Sequence, residues 1–355
     1  MRFIRKPNLI YINPYFSNYY NYINMIDFKK IKELIYNNST FLITTHVNPD
    51  ADAIGSEIAL LELLKTLNKK VNTVNHSATP YNLEFLDPSH LIQKYEPEIH
   101  DKIILESDAL IFLDLNQMNR TVKMEKVFRK TTGTKICLDH HTEPENFMDY
   151  QFINTDYSST GEIIFDIIKT FSEIKLSYEM ALPIYAAIMT DTGSFKYERT
   201  TPELHRKAAK LLECGVNPTF VNDQIYGQYY FSRIKLLGFA LESLSLNKTK
   251  EIAYMTVTRE DLFKTGAIEA DVDGFVNYCL SVKGVKMGIL FFELKDGVKI
   301  SFRSKGNIAV NKLAAKFDGG GHANASGSRL FDVKLNKIME EVLREADKFV
   351  NNKKF

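Results

Sequence analysis

The sequence predicts an α/β protein with a larger N-terminal domain, whose mostly parallel sheet is flanked by helices, then a connector and a smaller C-terminal α/β domain, with the active-site cleft between the two domains. Three observations carry this expectation. A chain of 355 residues is long enough for two domains at roughly 150 residues each. Strand and helix patterns alternate from residue 26 to 215, the signature of a parallel sheet covered on both faces. Beyond residue 250 the pattern changes to half-buried strands joined by a hairpin turn signal, Asp296-Gly297.

Residues 1–24 are rich in Tyr and Asn, with Pro7 and Pro14, and are expected to form a disordered extension. The first patterned helix places Phe28, Ile31 and Leu34 on one face, and the apolar run Phe41 to Thr45 reads as a buried strand. A helix over 53–67 follows, carrying Ile54, Ile58, Leu61 and Leu64. Strands are expected at 71–75, 109–115 and 135–138, and helices at 160–171, 179–190 and 202–214. These elements make up a domain over 25–215, followed by a connector over 216–238 that contains a helix. The second domain, 239–350, carries strands at 251–258, 285–294 and 298–303, a helix over 307–317 and a last helix over 333–350.

Composition excludes several classes. Forty-five Lys and Arg against 44 Asp and Glu leave a net charge of +1, so an anionic ligand has to be met by a local cluster rather than by a basic coat. Cys137, Cys214 and Cys279 are far apart and offer neither a disulfide framework nor a cysteine zinc site. No apolar run approaches the ~20 residues that span a bilayer, and no signal peptide is apparent. A cytoplasmic protein with no membrane partner is expected. No G-x-G-x-x-G follows the first strand, which excludes a dinucleotide dehydrogenase.

The ionisable residues fall where strands end. The first strand runs into His46-Val47-Asn48-Pro49-Asp50-Ala51-Asp52, the strand from 109 into Asp114, the strand from 135 into Asp139-His140-His141, and the helix from 179 into Asp191. Strand C-termini in a parallel sheet share one edge, where ligands bind. Asp50, Asp52, Asp114 and Asp191 together would bring four negative charges into one place, and repulsion would raise their pKa values or drive them apart. Divalent cations resolve that conflict, and imidazole with carboxylate suits manganese, iron or zinc. Two histidines and four aspartates exceed one ion's usual ligand set. With two ions Asp114 can bridge, and such a pair activates water and clamps a phosphoryl group. The competing reading of Asp50 and Asp52 is capping of the helix that follows them.

A second constellation lies in the smaller domain. Ser301-Phe302-Arg303-Ser304 closes a strand, and Asp318-Gly319-Gly320-Gly321-His322 follows a helix. Successive glycines let backbone N–H groups converge on an anion, Arg303 offers a bidentate fork, and His322 adds a donor. The competing reading is a helix C-cap with a turn. Arg120, six residues beyond Asp114, is a further candidate to face the substrate. His76, His90, His100 and His205 are read as surface residues.

The run His46-x-Asn48-Pro49-Asp50-x-Asp52-Ala53-x-Gly55-Ser56, with Asp139-His140-His141, resembles the DHH phosphoesterase superfamily. The run Gly319-Gly320-Gly321-His322-x-x-Ala325-Ser326-Gly327 is similar to that superfamily's associated C-terminal domain. Length and motif order look most like the branch of bifunctional oligoribonucleases and pAp phosphatases. The resemblance implies two manganese ions per site, with cobalt, iron or magnesium as substitutes. His46, Asp50 and Asp114 would hold one ion, and Asp52, Asp114, His140 and Asp191 the other. Asp139 would orient a histidine, His141 would face the substrate phosphate, and Arg303, Ser304, Gly319, Gly320, Gly321 and His322 would hold the nucleotide. The implied substrates are short RNA and pAp, and the implied assembly is a homodimer. Two alternatives stand: a phosphodiesterase for c-di-AMP or pApA, which uses the same two domains, and a nucleotide- or RNA-binding module without turnover.

Overall fold

The computed structural model describes residues 25–142, 144–321 and 323–351. The expectations for residues 1–24 and for His322 therefore lie outside the described residues. The chain divides into two compact units, the first ending at Gln228 and the second beginning at Tyr229. Two helices, Pro218–Tyr226 and Phe231–Glu242, stand on either side of that division.

The first unit is built on six parallel strands, β1 (Thr40–Thr44), β2 (Lys70–Asn75), β3 (Ile92–Lys94), β4 (Ala109–Leu113), β5 (Thr134–Asp139) and β6 (Tyr150–Ile153), in the order β3-β2-β1-β4-β5-β6. Both faces of the sheet are covered, and the strand sequences show why. Side chains alternate across a strand. Phe41 and Ile43 of β1, with Ala109, Ile111 and Leu113 of β4, enter one core. Leu42, Leu110 and Phe112 enter the other. The first core is closed by α1 (Phe28–Asn37), α2 (Ala51–Thr66), the helix α5 (Thr160–Thr170) and α6 (Tyr178–Asp191). The second is closed by α3 (Pro97–Glu106), through Ile104, and by the short α4 (Glu125–Phe128), through Val127 and Phe128. Such two-sided burial demands the continuous apolar runs seen in the sequence. α7 (Pro202–Glu213) and α8, the helix over 218–226, complete the unit.

No strand pattern marks β3 and β6 in the sequence. Both are short edge strands, and Gln93 and Lys94 of β3 are exposed, so neither carries an apolar run. His100, read as a surface residue, is buried at 3% exposure. Its Nε2 pairs with Gln93 Oε1 at 2.8 Å, so its polarity is satisfied inside the α3 packing.

The second unit holds a mixed sheet in the order β11-β12-β10-β9-β8-β7. Its principal strands are β8 (Ile252–Val257), β9 (Met287–Leu294), β10 (Gly297–Ser304) and β12 (Ala325–Phe331); β7 (Ser245–Leu246) and β11 (Gly320–Gly321) are two-residue edges. β8 and β9 run parallel, and the remaining pairs are antiparallel. Met287, Ile289 and Phe291 face a core shared with the last helix, Leu335–Asn351. Leu290, Phe292 and Leu294 face one shared with the helix over 231–242. β12 begins Ala-Ser-Gly-Ser and gives no strand pattern; its place is set by pairing with β10 from Phe331 opposite Gly297 to Ala325 opposite Arg303.

Candidate metal centre

The strand order reverses between β1 and β4, and the ionisable residues gather at the C-terminal ends of these strands and of β5. His46 lies two residues beyond β1. Its Nδ1 donates to the Val47 carbonyl at 2.9 Å, which leaves Nε2 facing Asp114 Oδ2 at 3.3 Å. Asp114 follows the last residue of β4 in left-handed backbone, φ 55°. Aspartate tolerates that region better than most residues. Its N–H donates to the Leu138 carbonyl at 3.1 Å, tying it to β5.

Asp139 ends β5. Its Oδ1 accepts three N–H groups, from the backbones of His140 (2.7 Å) and His141 (3.1 Å) and from His141 Nδ1 (2.7 Å). The histidine it orients is thus His141, whose Nδ1 also lies 3.3 Å from Asp114 Oδ1. His140 also approaches Asp114 Oδ1, beside two further carboxylates. Its Nε2 stands 3.2 Å from Asp191 Oδ2, 3.5 Å from Asp114 Oδ1 and 3.6 Å from Asp52 Oδ2.

Asp50 and Asp52 divide the roles that the sequence left open. Asp50 is exposed and caps α2, its Oδ1 accepting the N–H groups of Asp52 (3.0 Å) and Ala53 (3.1 Å). Asp52 is fully buried and serves a different helix: its oxygens accept the N–H groups of Thr160 at 2.7 Å and Gly161 at 2.8 Å, at the start of α5. Two glycines make this convergence possible. A Cβ on Gly55 of α2 would lie 2.4 Å from the Pro183 carbonyl oxygen of α6, and one on Gly161 would lie 2.4 Å from Ala187 Cβ. The start of α2 and the end of α6, which carries Asp191, are thereby drawn to the same place. Thr160 and Gly161 were missed in the sequence, because they contribute backbone N–H groups that no residue type announces; Thr160 Oγ1 also donates to Asp114 Oδ1 at 3.1 Å.

The electrostatics are those of crowded carboxylates. Burial pushes the Asp52 carboxyl well above its ordinary range, and Asp114 and Asp191 push it further. Burial likewise raises Asp191, to about 6, against the pull of His140. Burial also opposes ionisation of Asp114, but His141, His140 and His46 outweigh it and hold that carboxyl well below the usual range. The histidines respond in kind. Burial disfavours their charged forms, yet Asp114 holds His46 up, Asp114 and Asp191 hold His140 well up, and Asp114 with Asp139 raises His141 to about 10.

Ligand atoms of His46, Asp50 and Asp114 lie within 4.8 Å of one another, as do those of Asp52, His140 and Asp191. His140 Nδ1 and Asp139 Oδ2 are buried without a hydrogen-bond partner among the described residues. Buried polar atoms of this kind require an explanation, and hard oxygens with borderline nitrogens suit divalent transition metals. The donor set fits a pair of such ions.

The remaining candidates are placed as follows. Arg120 is half-buried; its carbonyl accepts the Val47 N–H at 2.9 Å, and its charge lowers the His46 pKa. In the second unit, Arg303 Nη1 donates to the Phe302 carbonyl at 3.0 Å. The Ser304 hydroxyl donates to the Ile308 carbonyl at 2.6 Å and accepts from Asn324 Nδ2 at 2.9 Å, which joins the loop after β10 to the segment before β12. Gly320 and Gly321 form a short strand against Gly327 and Ser326. A Cβ at Gly319 would lie 2.0 Å from Ser328 Oγ, a packing reason for glycine independent of any anion.

The chain belongs to the DHH family. Residues 40–188 match the family's N-terminal domain and residues 250–352 match the DHHA1 domain. It is 31% identical over 305 residues to the bifunctional oligoribonuclease and PAP phosphatase NrnA of Thermus thermophilus, covering 85% of this chain and 87% of that protein. The Bacillus subtilis protein of the same name is 28% identical over 298 residues, 82% of this chain and 90% of that one. Among solved structures, an exopolyphosphatase-related protein from Bacteroides fragilis matches with a TM-score of 0.86 at 33% identity, over 92% of this chain and 97% of the other. Among the described residues, no helix is long and apolar enough to cross a membrane.

Proposed function

We propose that this protein is a manganese-dependent phosphoesterase that hydrolyses short oligoribonucleotides to mononucleotides and pAp to AMP and phosphate. The observation that carries the reading is Asp114: one carboxylate lies against His46 on one side and His140 on the other, as a ligand shared by two ions does. The names of the Thermus and Bacillus relatives support the choice of substrates.

His46, Asp50 and Asp114 would hold one ion, and Asp52, Asp114, His140 and Asp191 the other. When bound, such a pair supplies Lewis-acid polarisation of the phosphoryl group and a nucleophile at neutral pH. His141, fixed by Asp139, presents an N–H to a phosphoryl oxygen and stabilises charge developing there. Arg120 binds a neighbouring oxygen. Arg303 and the Gly319–Gly321 run, with His322, hold a nucleotide phosphate. Asp114→Ala removes the shared ligand and is expected to reduce turnover to background, whereas Arg303→Ala is expected chiefly to raise KM.

The test is chromatographic product analysis on pAp, a 5′-phosphorylated RNA trimer and c-di-AMP, with and without manganese. Mononucleotides from the trimer and AMP with phosphate from pAp, only when manganese is present, are expected. Cleavage confined to c-di-AMP would replace this reading with cyclic-dinucleotide turnover. No product despite bound manganese would make the protein a binding module.

A further inference from the structure

The carboxylates occupy one part of the sheet edge, and cations occupy another. β1, β2, β3 and β4 are parallel, so their C-terminal ends share that edge. Lys94 is the last residue of β3 and stands opposite Asn75, the last residue of β2; His76 comes next in the chain. Two backbone hydrogen bonds fasten these turns to the metal centre. The Asn48 N–H donates to Ser77 Oγ at 3.1 Å, and the Val47 N–H donates to the Arg120 carbonyl at 2.9 Å. Lys123 lies three residues beyond Arg120 in the same segment, after Val122, an exposed β-branched residue held at φ 53° and ψ −106°. Backbone of that kind costs on the order of 1–3 kcal/mol and fixes the direction in which the segment leaves Arg120.

Lys94 and Lys123 are exposed, and neither has an ion pair or side-chain hydrogen bond among the described residues. Other lysines of this unit do: Lys30 with Glu33, Lys65 with Glu62, Lys207 with Glu162 and Asp166. Both unpaired lysines also act on one imidazole: burial lowers the His76 pKa, and Lys123 and Lys94 lower it further. Two carboxylates border Lys94 in a shallow hollow, Glu84 and Asp87. Asp87 is occupied by the N–H groups of Leu91 and Ile92, and Glu84 forms no salt bridge with Lys94.

We propose that Lys94, Lys123 and His76 form a second phosphate site on the first unit, which takes a backbone phosphate of an oligoribonucleotide while another phosphate of the same chain lies at the carboxylate cluster. β3 is two strand spacings, roughly 10 Å, from β1, so a phosphate held at Lys94 is a different one from that at the cluster and belongs to a longer chain. With a net charge of +1, attraction for a polyanion has to be concentrated locally, and this edge concentrates it beside the chemistry. The inference rests on the oligoribonuclease reading and gives that reading a dependence on substrate length.

The test compares the intact protein with the double variant Lys94→Ala/Lys123→Ala. It measures kcat/KM for pAp and for 5′-phosphorylated RNA of two, three and five nucleotides at several salt concentrations, and anisotropy of a labelled pentamer without metal. The variant is expected to keep pAp turnover within about twofold, which also shows that it folds. It should lose about tenfold on the pentamer through KM, and its salt slope should fall by about 0.7 per lost phosphate contact. Equal losses on pAp and pentamer, or no loss on either, would overturn the site. If the wild-type protein cleaves no RNA, anisotropy still decides: weaker pentamer binding by the variant keeps the site while the oligoribonuclease reading fails, and unchanged binding removes both.

Discussion

The backbone N–H of Thr160 donates to Asp52 Oδ2 at 2.7 Å, although the two residues stand 108 positions apart. A carboxylate expected to hold a cation is thereby also the partner of the first turn of α5. The two duties separate by substitution. Asp52→Ala orphans buried N–H groups at a cost of about 1–3 kcal/mol each. Asp52→Asn keeps an acceptor oxygen for one of the two N–H groups, sets its NH2 against the other, and removes a charge that Asp114 and Asp191 repel. In thermal melts without metal, the Asn variant is expected to melt above the Ala variant, which orphans both N–H groups; both should show less stabilisation by added manganese than wild type. An Asn variant still stabilised by manganese as strongly as wild type would remove Asp52 from the ligand set.

Manganese uptake is expected to release protons. Histidine must be neutral to bind a metal, yet Asp114 keeps His46 above its ordinary pKa, and Asp114 with Asp191 keeps His140 well above it. Apparent affinity should therefore rise with pH through neutrality. Calorimetric titration in two buffers of different ionisation heat should give different apparent enthalpies. A heat independent of buffer would contradict the protonation state the carboxylates impose.

Asp139→Asn leaves the cluster's other side chains in place but weakens the grip on His141. A change of this kind beside a metal site typically costs 10–100-fold, and the loss is expected in kcat with an altered pH profile, because the His141 proton is held by Asp139 and Asp114. An unchanged profile would mean that His141 takes no part in the reaction.

Gly55→Ala presses a Cβ to within 2.4 Å of the Pro183 carbonyl oxygen, a backbone atom that has no rotamer to escape through. Overpacking of this kind costs about 1–3 kcal/mol, or roughly 2–4 °C in Tm per kcal/mol for a unit of this size. Activity should fall with it, since the same contact sets the approach of Asp191 to Asp52.

Glu57 gives a pH signature away from the cluster. It is fully buried in α2; one oxygen accepts from Asn75 Nδ2 at 2.8 Å and the other has no partner among the described residues. Burial pushes its pKa to about 8, against about 4.3 in an unfolded chain. Between these values the folded state binds the extra proton, so stability falls as pH rises from the lower to the upper and is flat beyond. The advantage of Glu57→Gln over wild type in denaturant titrations should therefore grow from pH 5 to pH 8 and then level off. A constant difference would mean that Glu57 is ionised throughout.

The sequence disclosed those parts of the centre in which side-chain chemistry interrupts a buried strand. His46, Asp114 and Asp139 stand out because each follows or ends an apolar run that two-sided burial requires, and the sheet's parallel order brings those ends to one edge. What it did not disclose is what works through backbone. Thr160 and Gly161 act by their N–H groups, and β3 and β6 by edge pairing too short to pattern. β12 is a run of small residues whose strand state comes from β10. The partners of Ser304 were equally silent in sequence: its hydroxyl bonds Ile308 and Asn324. His100 was misread for a similar reason, since a buried imidazole satisfied by Gln93 looks, in sequence, like any polar residue of a helix.

Every member of the carboxylate and imidazole cluster falls between residues 46 and 191, and the first unit closes at Gln228. Translation therefore delivers the whole ligand set before Tyr229 is made, and domains fold as units in order of synthesis. A nascent chain still attached to its ribosome already has what it needs to capture metal, while the segment expected to select the nucleotide has yet to emerge. In the life of each molecule, loading with metal is free to precede completion of the substrate site, so a ribosome stalled late in this message would display the carboxylate and imidazole cluster without the nucleotide contacts expected from the second unit.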